Sequence, residues 1–352
     1  MYSEIKEVYD ALCDRESQYI FRQRMLYSLS NDWMDIKDML LSLYDVKVPH
    51  ALNLLDVFVR PEIFRDKKIA FFGLGGWSGS AKHLLACVGL AASIYCDNDR
   101  NKIGTEMDGI LVISPEELAE RHKDAMVIVT TEMYEKEVIA QLLSLGFPEC
   151  QIVRLRFHDR ETYFDSEVLP APQENGIFID GGCYDGKSSQ DFITWSKGRA
   201  KKIYAFEPDE MHYSVCRKFF EERCSIPYRL EKAGLYSKSA ELTFSSDHSA
   251  GARFTDEGPV KVAAVALDDV VAIEDRVTFV KLDIEGAEYE ALKGMEKMLR
   301  RCQPIVAVCL YHKPQDIWEI PGYVHRILPK HRLYIRHYTP SALDTVLYAV
   351  PV

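Results

Sequence analysis

The sequence predicts an α/β protein with two successive three-layer α/β/α domains behind a helical N-terminal segment. Three observations predict it. Short apolar runs of strand length alternate with helical patterns, the rhythm of parallel strands joined by crossover helices. The run that opens each series leads directly into a glycine-rich loop. The last two runs are separated only by a short polar turn, so the second sheet is expected to finish in an antiparallel hairpin. At 352 residues, a prior of about 150 residues per domain gives two domains with room for a smaller element.

Residues 1–65 read as helices. Ile5, Val8, Tyr9 and Leu12, then Ile20, Met25, Leu26 and Leu29, then Met34, Met39, Leu40 and Leu43 fall at helical spacings until Pro49 interrupts them. A packing element without chemistry is expected there. Residues 66–157 change to strands over 69–72, 93–96 and 126–129, with helices over 80–88 and 134–145, the second closed by Gly146. Residues 158–175 are polar, carry Pro170 and Pro172, lack periodicity and read as a linker. Residues 176–352 form the second series. Its strands are expected over 177–179, 203–206, 277–282 and 305–310, with helices over 188–196, 211–222 and 287–300, before the hairpin of 332–337 and 345–350.

Forty-three basic against fifty-four acidic residues leave a net charge of −11, a poor match to a nucleic-acid backbone or an anionic membrane face. A small-molecule or glycan acceptor is the better expectation, and a homodimer is left open. The nine cysteines are scattered without a Cys-x-x-Cys pair, which reads as reduced thiols in a cytosolic protein. Glu4, Glu7 and Asp10 break any secretory signal core. The longest apolar stretch, around residues 84–95, is short of the ~20 residues that span a bilayer. The protein is expected to be cytoplasmic, with no membrane insertion.

The strand 177–179 runs into Asp180-Gly181-Gly182-Cys183-Tyr184-Asp185-Gly186 and then a helix, and the next strand ends Phe206-Glu207-Pro208. Glycines at such a junction allow a tight turn and close approach of a ligand. Glu207 is placed to accept hydrogen bonds from two ribose hydroxyls at the carboxyl edge of the sheet. The loop lacks a phosphate-gripping Gly-Lys-Ser/Thr and carries two acids, which repel a pyrophosphate and suit a cofactor bearing a sulfonium and an ammonium.

These residues resemble the cofactor half of a class I methyltransferase, a Rossmann-like fold. More narrowly, Phe279-Val280-Lys281-Leu282-Asp283-Ile284-Glu285-Gly286-Ala287-Glu288-Tyr289-Glu290-Ala291-Leu292-Lys293-Gly294 resembles the signature of the FkbM methyltransferase family, and Ala266-Leu267-Asp268-Asp269 also fits its pattern. The resemblance extends over roughly 176–352. It implies methyl transfer from S-adenosylmethionine, typically to a hydroxyl oxygen. It implies cofactor contacts at Asp180, Gly181, Gly182, Tyr184, Asp185, Gly186, Glu207 and Pro208, with Ala233 and Gly234 near the adenine. Cys183 and Tyr184 depart from the small residues common in that loop.

Transfer to an alcohol is an in-line displacement that also needs a base. Asp283, Glu285 and His312 follow the ends of neighbouring strands and are expected to converge there. His312 is the expected base, because histidine titrates near neutrality. Asp283 is expected to orient the methionine ammonium. Two acids and a histidine can also hold a divalent ion, but their spacing matches no tight metal template, so no metal is expected.

In the first series, Phe72-Gly73-Leu74-Gly75-Gly76-Trp77-Ser78-Gly79 resembles a dinucleotide fingerprint with Ser78 in place of the third glycine, and Asp97 ends the next strand. The unit resembles Rossmann-like modules associated with nucleotide sugars, and it leaves open a nucleotide ligand at Gly73, Gly75 and Asp97. Two other readings remain: a nicotinamide-dependent oxidoreductase acting on nucleotide sugars, weakened by the lack of a Tyr-x-x-x-Lys pair, and a non-catalytic scaffold in glycan assembly.

Overall fold

The apolar runs after residue 176 become a seven-stranded sheet in a computed structural model, which describes residues 2–43, 52–131, 134–155, 160–245, 253–254 and 260–352. We label its strands β1 (Gly176–Gly181), β2 (Ala200–Phe206), β3 (Tyr228–Glu231), β4 (Phe279–Leu282), β5 (Ile305–Cys309), β6 (His331–His337) and β7 (Thr345–Pro351). Their order is β3-β2-β1-β4-β5-β7-β6. The first five are parallel, and the β6–β7 hairpin adds antiparallel to β5. Every residue of β1, β4 and β5 is buried, which is why these strands read as largely apolar runs, interrupted by Asp180 and Lys281. Phe178, Phe192 and Phe279 pack with Phe164 and Trp195 beneath them, the Phe178 and Phe192 rings 4.5 Å apart. The strand order reverses between β1 and β4, and in such sheets ligands bind outside the carboxyl ends at that point.

Two departures from the sequence reading have local causes. The single helix expected over 287–300 is two, Glu288–Lys293 and Glu296–Cys302. Between them a Cβ at Gly294 would stand 2.0 Å from the Tyr236 carbonyl oxygen, so the chain is pinned at that glycine. A four-stranded sheet also lies between β3 and β4, built from Gly234–Leu235, Ala240–Ser245, Arg253–Phe254 and Val260–Val265. Its short alternating strands carry little apolar signal.

By contacts the chain divides into Met1–Ser28 with Arg160–His337 and Asp344–Val352, and Leu29–Asp159 with Tyr338–Leu343. The helical stretch expected over 1–65 is therefore split. Helices Tyr2–Ala11 and much of Arg15–Ser30 fall in the first unit, and Trp33–Leu43 in the second. The chain around residues 12–17 bonds to the free edge of β6: Cys13 N donates to the Leu333 carbonyl at 2.9 Å and Ile335 N to Ser17 Oγ at 2.9 Å. Arg336 adds a bond to Asp14 Oδ2 at 2.6 Å. An open edge is thereby closed. Residues 160–175, expected as linker, belong to the same unit and send Phe164 into its core. The expected boundary at 157–158 and the break at Pro49 lie outside the described residues.

The second unit holds a seven-stranded sheet in the order 52–53, 152–154, 126–129, 69–72, 94–96, 110–113, 106–107, parallel except for its last pair. Its three central strands lie where the sequence places them. The 106–113 hairpin and the strand 152–154 do not appear in that reading, because each is only a few residues long.

Candidate active site

Along the carboxyl edge of β1, β2 and β4 the site is built from the backbone outward. After β1 the chain turns at Gly182, whose φ is +75°. A Cβ there would stand 1.9 Å from the Asp283 carbonyl oxygen, so the glycine is required by the close crossing of β1 and β4. Gly181 pairs with Leu282 across that crossing. Gly186 likewise leaves room for the Phe219 ring and begins the helix Lys187–Ser196.

Asp180 is fully enclosed. Its Oδ2 accepts from Ser188 Oγ at 2.7 Å and Ser189 Oγ at 2.6 Å, and its Oδ1 lies 3.3 Å from Lys281 Nζ. Lys281, on β4, also donates to the carbonyls of Gly181 at 3.0 Å and Gly182 at 2.6 Å. Burial disfavours its charge, but Asp180 and Asp283 outweigh that and hold the ammonium charged. This buried pair fastens the loop from below. The sequence reading passed over Lys281, although a lysine inside a buried apolar strand is itself a signal.

Glu207 ends β2 and faces the same loop. Its Oε2 accepts from Tyr184 N at 3.1 Å and its Oε1 from Asp209 N at 3.0 Å. Among the described residues no lysine, arginine or histidine pairs with it. Burial raises its pKa, and the two amide bonds only partly offset that. Tyr184 is half exposed, with its ring 4.1 Å from that of His212. Asp185 is half-buried and accepts from Lys187 N, and Pro208 follows Glu207 at the strand end. Ala233 and Gly234 are buried, and the neighbouring Leu235 lies against Gly181.

Across the switch point Asp283, Glu285 and His312 do come together. His312 Nε2 stands 3.5 Å from Asp283 Oδ1 and 3.4 Å from Glu285 Oε2. Three further residues complete the cluster. Glu288, fully buried, accepts from Ile284 N at 2.8 Å and lies 2.8 Å from His312 Nδ1. Tyr163 OH and Tyr311 OH donate to Asp283 Oδ2 and Oδ1, each at 2.8 Å. Burial opposes charge on Asp283, yet Lys281, His312 and the two phenols hold its carboxyl below the ordinary value. Burial also opposes a proton on His312, but Glu288, Asp283 and Glu285 push it up to about 10. Its neutral titration, assumed in the sequence reading, is lost to those three carboxylates. Glu285 adopts φ +55° and is raised to about 7, chiefly by burial.

Tyr163 lies in the stretch read as linker, and no local pattern marks it. Glu288 sits within the quoted signature, one helical turn beyond Ile284. His337, on β6, is buried against Thr345 Oγ1 at 2.8 Å.

The model of the methyltransferase FkbM domain matches residues 180–338, the span that holds both the glycine loop and this cluster. Residues 180–338 form a methyltransferase FkbM domain. The methyl donor of the FkbM domain is S-adenosyl-L-methionine, as expected from the sequence. A second model, C2185-like, N-terminal, matches residues 65–153. No curated protein matches the chain by sequence. Among solved structures, the chain is similar to methyltransferase FkbM from Methylobacillus flagellatus KT, at 17% identity and a TM-score of 0.48, covering 92% of this chain and 100% of that one. It is also similar to Aeropyrum pernix fibrillarin with bound S-adenosyl-L-methionine (12%, TM-score 0.33, 52% and 69% covered). A third is SMU.1697c from Streptococcus mutans in complex with SAH (14%, TM-score 0.33, 51% and 90% covered). No helix among the described residues is long and apolar enough to cross a membrane.

In the other unit, the loop at Gly73–Gly75 also sits where its strand order reverses. Asp97 ends the next strand, and its Oδ2 accepts from Leu74 N at 2.8 Å and from Lys102 Nζ at 2.9 Å. Its Oδ1 accepts from Asp99 N at 2.9 Å. Burial opposes this charge, but the amides and Lys102 hold its carboxyl below the ordinary range.

Proposed function

We propose that the FkbM domain transfers a methyl group to a hydroxyl oxygen of a sugar, glycolipid or related hydroxylated metabolite. The observation that carries the donor half of this reading is Glu207: a buried carboxylate at the end of β2, bonded among the described residues by backbone amides alone and facing the glycine loop. Such a group retains lone pairs for two ribose hydroxyls, and those bonds favour its charged form. The loop residues Gly181, Gly182 and Tyr184 then line the cofactor, with Ala233 and Gly234 beside it and Asp180 and Lys281 bracing it from below. S-adenosyl-L-methionine supplies an electrophilic methyl on a sulfonium, and the acids of this edge favour that charge.

The chain's own task is to align the acceptor and take its proton. His312 is enclosed by three carboxylates, whereas Glu285 keeps the more open side chain, 30% exposed against 8%. We therefore assign proton removal to Glu285, with His312 and Asp283 behind it. The test is calorimetry of donor binding on the full chain, followed by a screen of hydroxylated sugars for methylated product. Tight donor binding that Glu207→Ala weakens supports the reading. Unchanged binding in that variant removes Glu207 from the site, and methylation confined to amines overturns the oxygen-directed assignment.

A further inference from the structure

We propose that Asp283, Glu288 and His312 hold a divalent metal ion, against the expectation drawn from their spacing in sequence. One ligand atom from each lies within 4.8 Å of the others. Ligand atoms around an ion at ~2.0–2.2 Å stand roughly 3–4 Å apart. His312 can give an ion only one ring nitrogen: Nε2 stands 3.5 Å from Asp283 Oδ1, within that range, while Glu288, whose Oε1 lies 2.8 Å from the other nitrogen, Nδ1, would bring its second oxygen, Oε2, to the ion.

Among the described residues, Glu288 Oε2, on a side chain with no exposure, and both ring nitrogens of His312, on one that is 8% exposed, make no well-formed hydrogen bond, although Nδ1 lies 2.8 Å from Glu288 Oε1. Buried polar atoms are rarely left so, and a missing ion is one of the recognised reasons. The charges point the same way. Asp283, Glu285 and Glu288 crowd the imidazole, Asp316 is buried next to them, and Lys281 is committed to Asp180 and two loop carbonyls. Two carboxylates and one imidazole suit a borderline divalent ion such as Mn²⁺, Fe²⁺ or Zn²⁺. Three protein ligands leave coordination positions for an acceptor oxygen, whose proton such an ion makes easier to remove. That role rests on the methyl-transfer reading; the binding itself rests on the cluster alone.

The experiment uses the full chain, stripped with EDTA and titrated with Mn²⁺ while free ion is followed by electron paramagnetic resonance. One bound Mn²⁺ per chain is expected. Glu288→Gln and His312→Gln should each weaken it at least tenfold, while Asp191→Asn, a surface acid, should leave it unchanged. No bound ion on the folded wild-type chain, or affinity unchanged in both site variants, overturns the proposal. If Glu288→Gln fails to fold, His312→Gln and the wild-type stoichiometry decide. Donor calorimetry on the same samples separates the two claims. Donor binding without metal binding sinks this inference alone, and metal binding without donor binding sinks the methyl-transfer reading alone.

Discussion

The loops at Gly73–Gly75 and Gly181–Gly186 each follow a fully buried central strand where strand order reverses, and each faces an acid at the end of the next strand. In sequence the two are near equivalents. They differ in what meets the acid. Asp97 is met by a loop amide, a second amide and Lys102, so it fastens its own loop. Among the described residues Glu207 is met by two amides and paired with no cation, while Lys281, which acts on it only through its charge, is bonded to Asp180 and the loop carbonyls. The comparison teaches that a glycine loop with an acid beyond it is an architecture. The partner given to that acid sets whether its oxygens stay available to a ligand.

The largest expected effect concerns chemistry at the second loop's edge. Glu285→Gln should lower turnover by ~10²–10⁴ with donor affinity nearly unchanged, measured by steady-state kinetics and calorimetry. Retained turnover would return the proton to His312. Next is the brace. Lys281→Met leaves Asp180 buried without its cation and should cost about 3–5 kcal/mol in denaturant unfolding. A cost below about 1 kcal/mol would mean that the loop does not depend on it. At the first loop, Asp97→Ala strands the Leu74 amide and should cost about 1–3 kcal/mol, with donor affinity unaffected. A loss of donor binding there would break the distinction between the loops.

The smallest effect sharpens the comparison most, because its sign differs. Asp97 is depressed below its ordinary value, so its contribution is present above the unfolded pKa and is lost as pH falls through the folded one. Glu207 is raised, so the folded state without donor holds its proton longer, and stability declines as pH rises from the unfolded pKa through the folded one. From pH 3 to pH 7 without donor, the difference in melting temperature from wild type should therefore shift downward for Asp97→Asn and upward for Glu207→Gln, each by a few degrees. Melting curves across pH 3–8 check both; shifts of the same sign would contradict the account.

Much of this was legible in sequence for a physical reason. Central parallel strands are buried on both faces, so β1, the second half of β2, β4 and β5 appear as apolar runs, and their ends announce Asp180, Glu207, Asp283 and His312. What was not legible depends on distant contacts. Tyr163 reaches Asp283 from 120 positions away, out of a polar stretch with no period. Glu288 looks like any acid in a first helical turn until His312 arrives across β5. The proton affinity of His312 could not be read at all, since it is set by three carboxylates from another segment. The glycines were legible, but the space they leave is taken by Asp283 and Phe219, so the loop's shape answers first to the protein's own packing.

The central claim is that Glu207 holds the methyl donor while Asp97, its counterpart, holds only its own loop. Calorimetric titration of the full chain with S-adenosyl-L-methionine, run in parallel on wild type, Glu207→Ala and Asp97→Ala, tests it most directly. The account predicts an affinity loss of roughly 10–150-fold for Glu207→Ala, from ~1.5–3 kcal/mol of charge-assisted bonding, and a change within twofold for Asp97→Ala. Equal losses in both variants, or none in Glu207→Ala, would contradict it.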